Sequence, residues 1–313
     1  MDEKRLLLLM NPCSGQRKAN RVMPEIIRTL SDEGWRVETY ITKAEGDATV
    51  FAAAHGAEFG RIVCVGGDGT LNETIAGVLR GGTAEKTPIG YIPGGTTNDY
   101  ASSVGLSADP VEAAKTAAKG QPFPIDIGEF NGRSFTYTAS CGAFARVSYT
   151  TPQVMKNMLG HLAYVLEGIK DLSTLRPYRL RVTAGTETLD EEYLFCCVSN
   201  STSVGGMLKL DASAVSLNDG LFEVMLVKNP ENPAQLAEIL NALASKDLPC
   251  DMIRFFKASD IAITSGEPIE WTLDGERAEA VREAVIHNMP RTVTLIVPEK
   301  ETEENDPEEK LSD

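Results

Sequence analysis

The chain has 313 residues, an ordinary globular composition with 42% hydrophobic residues, and a formal net charge of −15. This length suits about two domains, each with its own core. The charge speaks against nucleic acid as a partner, and no apolar run approaches the ~20 residues of a membrane span.

Residues 5–10 are an apolar run of buried-strand type that ends in Asn11-Pro12-Cys13-Ser14-Gly15. A helix follows from about Lys18 to Glu33, and Gly34 closes it. Trp35–Thr42 alternates as a strand. Asp47–Glu58 has Val50, Phe51, Ala54 and Ala57 on one helical face. Arg61–Val65 is again a buried strand. It runs into Gly66-Gly67-Asp68-Gly69-Thr70-Leu71-Asn72, after which Leu71, Ile75, Val78 and Leu79 recur at helical spacing.

Glycines let a backbone turn sharply and let amide groups approach an anion, and the following helix N-terminus adds unsatisfied N–H groups. Asp68 puts a carboxylate into this phosphate-type turn, which makes sense with a divalent cation between the two. The stretch is neither a dinucleotide fingerprint nor a P-loop, because no Gly-Lys-Ser/Thr follows. Pro88–Ile92 is the next strand and leads into Pro93-Gly-Gly-Thr96-Thr-Asn98-Asp99. Three consecutive strand ends with such loops predict a ligand at one sheet edge. Residues 1–125 therefore read as a doubly wound α/β domain.

After Phe123 the pattern changes. Ile125–Gly128, Phe135–Ala139, Leu180–Thr183, Tyr193–Val198, Leu221–Val227, Ile261–Thr264, Ile269–Leu273, Val285–His287 and Val293–Val297 read as strands with turn residues between many of them. Helical pieces fall at 153–172 and 233–245. Residues 126–298 thus predict an antiparallel β-sandwich or barrel, whose last strand is a candidate to return to the first domain. Residues 299–313 hold eight acidic and two basic residues without apolar periodicity, and read as a disordered tail. Arg17, Lys18, Arg21 and Arg28, and Arg176, Arg179 and Arg181, are locally basic. Each group is a solvated face unless it meets ATP phosphates or anionic lipid.

Six cysteines without a CxxC pair, and three scattered histidines, argue against a zinc site and a secreted disulfide framework. The compartment read from them is the cytoplasm. No Ser, His or Cys constellation suits acyl chemistry. Two carboxylate turns stand out instead: Ser216-Leu-Asn-Asp219-Gly-Leu221 and Leu273-Asp274-Gly275-Glu276. Either can be a plain turn, Asp-Gly being a strong hairpin signal. Either can also carry a carboxylate into a cleft, one to anchor a metal and the other to act as a general base.

Taken in order, Asn11-Pro-x-Ser-Gly15, Thr42 with Gly46-Asp-Ala48, Gly66-Gly-Asp-Gly-Thr-Leu-Asn-Glu73, Ile92-Pro-x-Gly-Thr-x-Asn-Asp99, Val147-Ser-Tyr-x-Thr-Pro152, Asn218-Asp-Gly220 and Leu273-Asp-Gly-Glu276 form a specific set. On these motifs the chain resembles the soluble bacterial diacylglycerol kinases, in the lipid-kinase family that shares a catalytic domain with sphingosine and ceramide kinases. The resemblance extends to about Val297. It implies an ATP-binding domain like that of phosphofructokinase and NAD kinase, a β-sandwich for the lipid, and a site between them.

By the same resemblance, Asn11, Pro12, Cys13, Ser14, Gly15, Thr42, Gly66, Gly67, Asp68, Gly69, Thr70, Leu71, Asn72 and Thr96 would hold ATP. Asp68 would act on the catalytic Mg2+ and the γ-phosphate. Glu276 would take the lipid hydroxyl proton. Asp219 would bind a structural Mg2+ with carbonyls of Ser216 and Leu221, and Asp99 and Asp126 would link that metal to the ATP site. The activity implied is ATP- and Mg2+-dependent phosphorylation of diacylglycerol to phosphatidic acid, by a cytoplasmic homodimer in transient contact with the membrane. Another hydroxyl lipid (sphingoid or undecaprenol type) is the alternative acceptor. A non-catalytic nucleotide-binding regulator would have lost Asp68, Asp219 or Glu276, and all three are present. One departure stands out: the Gram-positive branch of the soluble kinases that the chain resembles has a lysine directly after the Asn-Pro-x-Ser-Gly glycine, where this chain has Gln16, with Arg17, Lys18 and Arg21 close by.

Overall fold

The leucines of the first strand, β1 (Arg5–Met10), are all buried but serve two different cores. Leu7 and Leu9 pack with Ile62, Cys64, Ile75 and Val78. Leu6, Leu8 and Met10 pack with Ile26, Leu30, Ala113 and Ala117. Successive strand side chains point to opposite faces, so this sheet is covered by helices on both sides. The structure is a computed structural model that describes residues 5–14, 21–95, 98–142, 176–201, 203–204, 208–209, 216–245, 248 and 250–299.

The first half runs α1 (Met23–Asp32), β2 (Arg36–Ile41), α2 (Asp47–His55), β3 (Arg61–Gly66), α3 (Asp68–Arg80), β4 (Ile89–Pro93), α4 (Asp99–Ser103) and α5 (Pro110–Lys119). The strands lie parallel in the order β2-β1-β3-β4, so their carboxyl ends share one edge, as the three loops predicted. The helix expected over Asp47–Glu58 ends at His55, and Gly56–Glu58 tightens into a 3-10 turn. Helix α5 was not read from the sequence. Its buried face is all alanine (Ala113, Ala114, Ala117, Ala118), which gives little hydrophobic contrast. Asp109 caps it, accepting from Val111 N and Glu112 N.

The second half is β5 (Gln121–Phe130), β6 (Arg133–Phe135), β7 (Thr138–Gly142), β8 (Tyr178–Ala184), β9 (Glu187–Ser199), β10 (Ser203–Val204), β11 (Leu208–Lys209), β12 (Phe222–Lys228), α6 (Pro233–Ser245), β13 (Ile253–Ala258), β14 (Asp260–Ile269), β15 (Trp271–Leu273), β16 (Glu276–Arg277) and β17 (Val281–Val297). Its strands pair antiparallel with one another around a core that holds Phe130, Phe135, Val224, Ile263 and Trp271. Helix α6 covers the outer face, with Ile239 and Leu243 on Phe195, Met225 and Val227.

Three sequence expectations change. Val285–His287 and Val293–Val297 are one strand, β17, whose register shifts between Met289 and Val293. Pro290 and the left-handed Arg291 (φ 52°) lie inside the shift and hide the continuity. Phe135–Ala139 is instead two strands, because the backbone of Thr136–Thr138 turns its amides to Asp274. Strand β14 continues through Ile269 rather than stopping at Thr264. β17 pairs antiparallel with β5 and β14, and at its end lies parallel to β4 through Leu295 and Ile296. A single strand therefore ties the two halves together. The expectations for Gly15, Gln16, Arg17, Lys18, Thr96, Val147–Pro152, the helix at 153–172 and residues 300–313 lie outside the described residues.

Candidate active site

The loops after β1 and β3 form one wall of a cleft of about 420 Å3. Asn11, Pro12, Cys13, Ser14, Thr42, Gly67, Gly69 and Thr70 line it, together with Lys43, Glu45, Glu73 and Gly95. The strand order reverses at β1, so this is the switch point at which an open α/β sheet binds ligands. Asn11 fixes the first loop. Its backbone N–H donates to Val65 O (2.9 Å), its Oδ1 accepts from Cys13 N (2.9 Å), and its Nδ2 donates to Thr70 Oγ1 (3.1 Å).

The glycines are required by close approach. A Cβ on Gly95 would stand 2.8 Å from Gly67 Cα, and one on Gly66 would stand 2.3 Å from Thr70 Oγ1. Asn98, in the left-handed region at φ 50°, locks the last loop by accepting from Gly95 N (2.9 Å) and donating to Gly95 O (3.1 Å). The backbones of the two glycine loops thus lie against each other at the start of α3. That is the cradle a phosphate chain needs.

Asp68 opens α3 and is half-buried. Tyr91 Oη donates to its Oδ1 at 3.3 Å. Burial first, and the Asp68 charge next, push the Tyr91 hydroxyl well above its usual range, so it stays a donor. Leu71 and Asn72 point elsewhere. Leu71 is a core residue, which leaves its backbone as its contribution to the cleft. Asn72 Oδ1 accepts from Thr136 Oγ1 (3.1 Å) and joins α3 to the second half. Glu73 reaches the other way. Its carboxylate accepts from Gly46 N (3.0 Å) and Ala48 N (3.2 Å), which caps α2 and explains the Gly-Asp-Ala motif.

Glu276 arrives from the second half on the hairpin β15–β16. Its Oε1 lies 4.0 Å from the point where a Cβ on Gly69 would stand, so it faces the first turn of α3. Burial raises its carboxyl above the ordinary range, Arg133 pulls it down, and Glu45 and Glu73 push it up. A buried clamp aims the hairpin: the Asp274 carboxylate accepts from the amides of Thr136 (2.6 Å), Tyr137 (2.9 Å) and Thr138 (3.0 Å). Glu276 comes to the first turn of the helix that Asp68 opens; Arg133 and Tyr91 were not read from the sequence as site residues, and Asn98 was read only as part of its loop motif. The Asn131-Gly132 turn before Arg133 was a legible hairpin signal.

The Asp219 loop sits apart from the cleft lining and is held by Asp126. Fully buried, Asp126 accepts from Gly220 N (2.6 Å) and Arg291 N (2.7 Å), and its own N–H donates to Leu217 O (2.9 Å). Asp219 accepts from Leu221 N (3.1 Å) and from Lys257 Nζ (3.1 Å). The same ammonium lies 3.2 Å from Glu223 Oε1, but the buried Glu223 oxygens have no aligned hydrogen-bond donor among the described residues. Two carboxylates thus share one ammonium, and of the groups at this corner it is the carboxylate oxygens of Asp219 that suit a hard divalent cation. Among the described residues no three His, Cys, Asp or Glu side chains converge, so a cation there would draw on backbone carbonyls as well.

Comparison with known proteins gives a consistent picture. Residues 5–130 match the diacylglycerol kinase catalytic domain, and residues 138–297 match the YegS C-terminal NAD kinase beta sandwich-like domain. The chain is 33% identical over 310 residues to a diacylglycerol kinase of Bacillus subtilis (strain 168), covering 97% of this chain and 99% of that one. It is 30% identical over 275 residues to a diacylglycerol kinase of Staphylococcus saprophyticus, covering 87% and 89%. The crystal structure of a diacylglycerol kinase from Bacillus anthracis strain Sterne has the same fold, with a TM-score of 0.72 at 23% identity over 94% of this chain and 97% of that one.

Proposed function

Because the chain belongs to the family of the diacylglycerol kinase catalytic domain, we propose that it transfers the γ-phosphoryl group of ATP to the free hydroxyl of 1,2-diacyl-sn-glycerol, giving phosphatidic acid. The observation that carries this reading is the meeting of Glu276 with the first turn of α3, one residue from Asp68 and beside the glycine loops. Phosphoryl transfer asks a protein for placement and charge neutralisation more than for covalent help. The loops at Asn11–Ser14 and Gly66–Thr70 would cradle the phosphates with backbone amides and the α3 N-terminus. Glu276 would accept the hydroxyl proton as the lipid oxygen bonds to the γ-phosphorus and the bond to the bridging oxygen of ADP breaks. Its raised carboxyl holds a proton more readily than an ordinary glutamate, as a proton acceptor should.

Mg2+, when bound, would neutralise charge on the transferring group. Asp68 would hold that ion, and Asp219 with carbonyls of Ser216 and Leu221 would hold a second, structural one. Asp126 would brace the second site through Gly220. No helix among the described residues is long and apolar enough to cross a membrane. The working picture is a cytoplasmic homodimer that meets its lipid by transient contact with the membrane surface, with no nucleic-acid partner.

The Glu276→Gln variant tests the base assignment. Turnover is expected to fall about 100-fold or more, with ATP affinity by calorimetry near that of wild type. Wild-type turnover in this variant would remove Glu276 from the role.

A further inference from the structure

Arg133 and Glu276 are 143 residues apart in sequence, yet Arg133 Nη2 donates to Glu276 Oε2 at 3.0 Å. Both follow the same kind of turn. Asn131 (φ 47°) and Gly132 (φ 83°) precede Arg133, and Asp274 (φ 49°) and Gly275 (φ 82°) precede Glu276. Left-handed residues at both central positions make these two-residue hairpin turns, and Phe130↔Arg133 and Leu273↔Glu276 are the pairs that close them.

Each turn is pinned on its own. Asn131 N donates to Val285 O (3.0 Å), Asn131 Nδ2 donates to Glu283 O (2.9 Å), and Val285 N donates to Asn131 Oδ1 (2.8 Å). The Asp274 carboxylate pins the other turn to Thr136–Thr138. The ion pair therefore spans two fixed hairpins and does not join two loose surface chains. A pair between fixed elements sacrifices less side-chain freedom than an ordinary surface pair.

We propose that Arg133 is a positioning residue for Glu276: its guanidinium holds Oε2, so that Oε1 stays turned to the start of α3, where the acceptor hydroxyl must come. The inference rests on the base role proposed for Glu276. The groups around that carboxyl are Glu45 and Glu73 from the cleft side, Asp274 from its own turn and Arg133 from the facing hairpin. Arg133 is the cation among them. Its loss would let the side chain rotate and would leave burial and the acidic neighbours unopposed, which favours the protonated and idle form.

The test uses the full chain as wild type, Arg133→Gln, Arg133→Lys and Glu276→Gln. Diacylglycerol is presented in mixed micelles with Mg-ATP, and kcat and KM are followed against pH. Arg133→Gln is expected to lower kcat about 10–100-fold with KM for ATP within about twofold. The acid limb of its pH profile should move up. Arg133→Lys should restore part of both, since it keeps the charge but not the planar fork.

An unmoved acid limb in Arg133→Gln would overturn the positioning role, whether kcat is unchanged or falls equally at every pH with a lower melting temperature. The Glu276→Gln control separates the two readings. If that variant is inactive and Arg133→Gln behaves as wild type, the inference alone fails. If Glu276→Gln is active, the base assignment fails and the inference with it.

Discussion

At the scale of single residues, the molecule keeps its ionisable groups where they are needed at some expense of stability. Glu223 is the clearest case. It lies fully buried on β12, and burial pushes its carboxyl up to about 7 against the pull of Lys257. An unfolded glutamate titrates near ~4.3, so the folded state binds this proton more tightly. The stability it contributes is therefore full below about pH 4, and is lost as pH rises to about 7. Lys257→Met should deepen that loss, because the cation opposing burial is gone. Melting temperature followed from about pH 4 to pH 8 should fall more steeply in the variant than in wild type. Parallel curves would mean that the ammonium at 3.2 Å does not hold the Glu223 charge.

At the scale of elements, the site depends on short turns held by buried carboxylates. Asp274→Ala would strip the acceptor from the amides of Thr136, Tyr137 and Thr138, with Thr136 and Thr138 buried. Orphaned buried donors cost about 1–3 kcal/mol each. The expected result is an unfolding free energy, read from urea titration, that is lower by at least that amount, with a lower urea midpoint and loss of turnover as the Glu276 hairpin loosens. A wild-type midpoint would deny the clamp.

The glycine loops were legible in the sequence because each follows a run of buried β residues, as Leu6–Met10, Ile62–Val65 and Ile89–Ile92 do. Local pattern and local chemistry agree there. Asp274-Gly275 was legible as a turn, but its clamp was not, since the amides it holds lie 136 to 138 residues away. Arg133 was missed for the same reason. Asn131-Gly132 announced a hairpin, and nothing local announced what that hairpin would face. Leu71 teaches the converse: its helical spacing with Ile75 and Val78 already placed its side chain in the core.

At the scale of the whole molecule, β17 makes the two halves one body. It pairs with β5 and β14 of the sandwich and with β4 of the parallel sheet. Asp126 and Asn200 reinforce the seam. Asn200 is fully buried and donates to Asp126 O at 2.8 Å, so its side chain is held inside the seam. A cation at Asp219 would stiffen the loop that leans on this seam. Mg2+ should therefore raise the melting temperature of the wild-type chain and leave Asp219→Ala unmoved. Equal melting of wild type with Mg2+ and with chelator would remove the structural ion from the account.

The central claim is that the cleft and Glu276 together phosphorylate a lipid hydroxyl. Transfer of labelled γ-phosphate from ATP tests it most directly, with diacylglycerol, sphingosine, ceramide and undecaprenol offered in mixed micelles and NAD as a soluble control, each with and without Mg2+. The account predicts Mg2+-dependent labelling of diacylglycerol by the wild-type chain and none by Glu276→Gln. Labelling of NAD, or no labelled lipid from a chain that binds ATP, would contradict it.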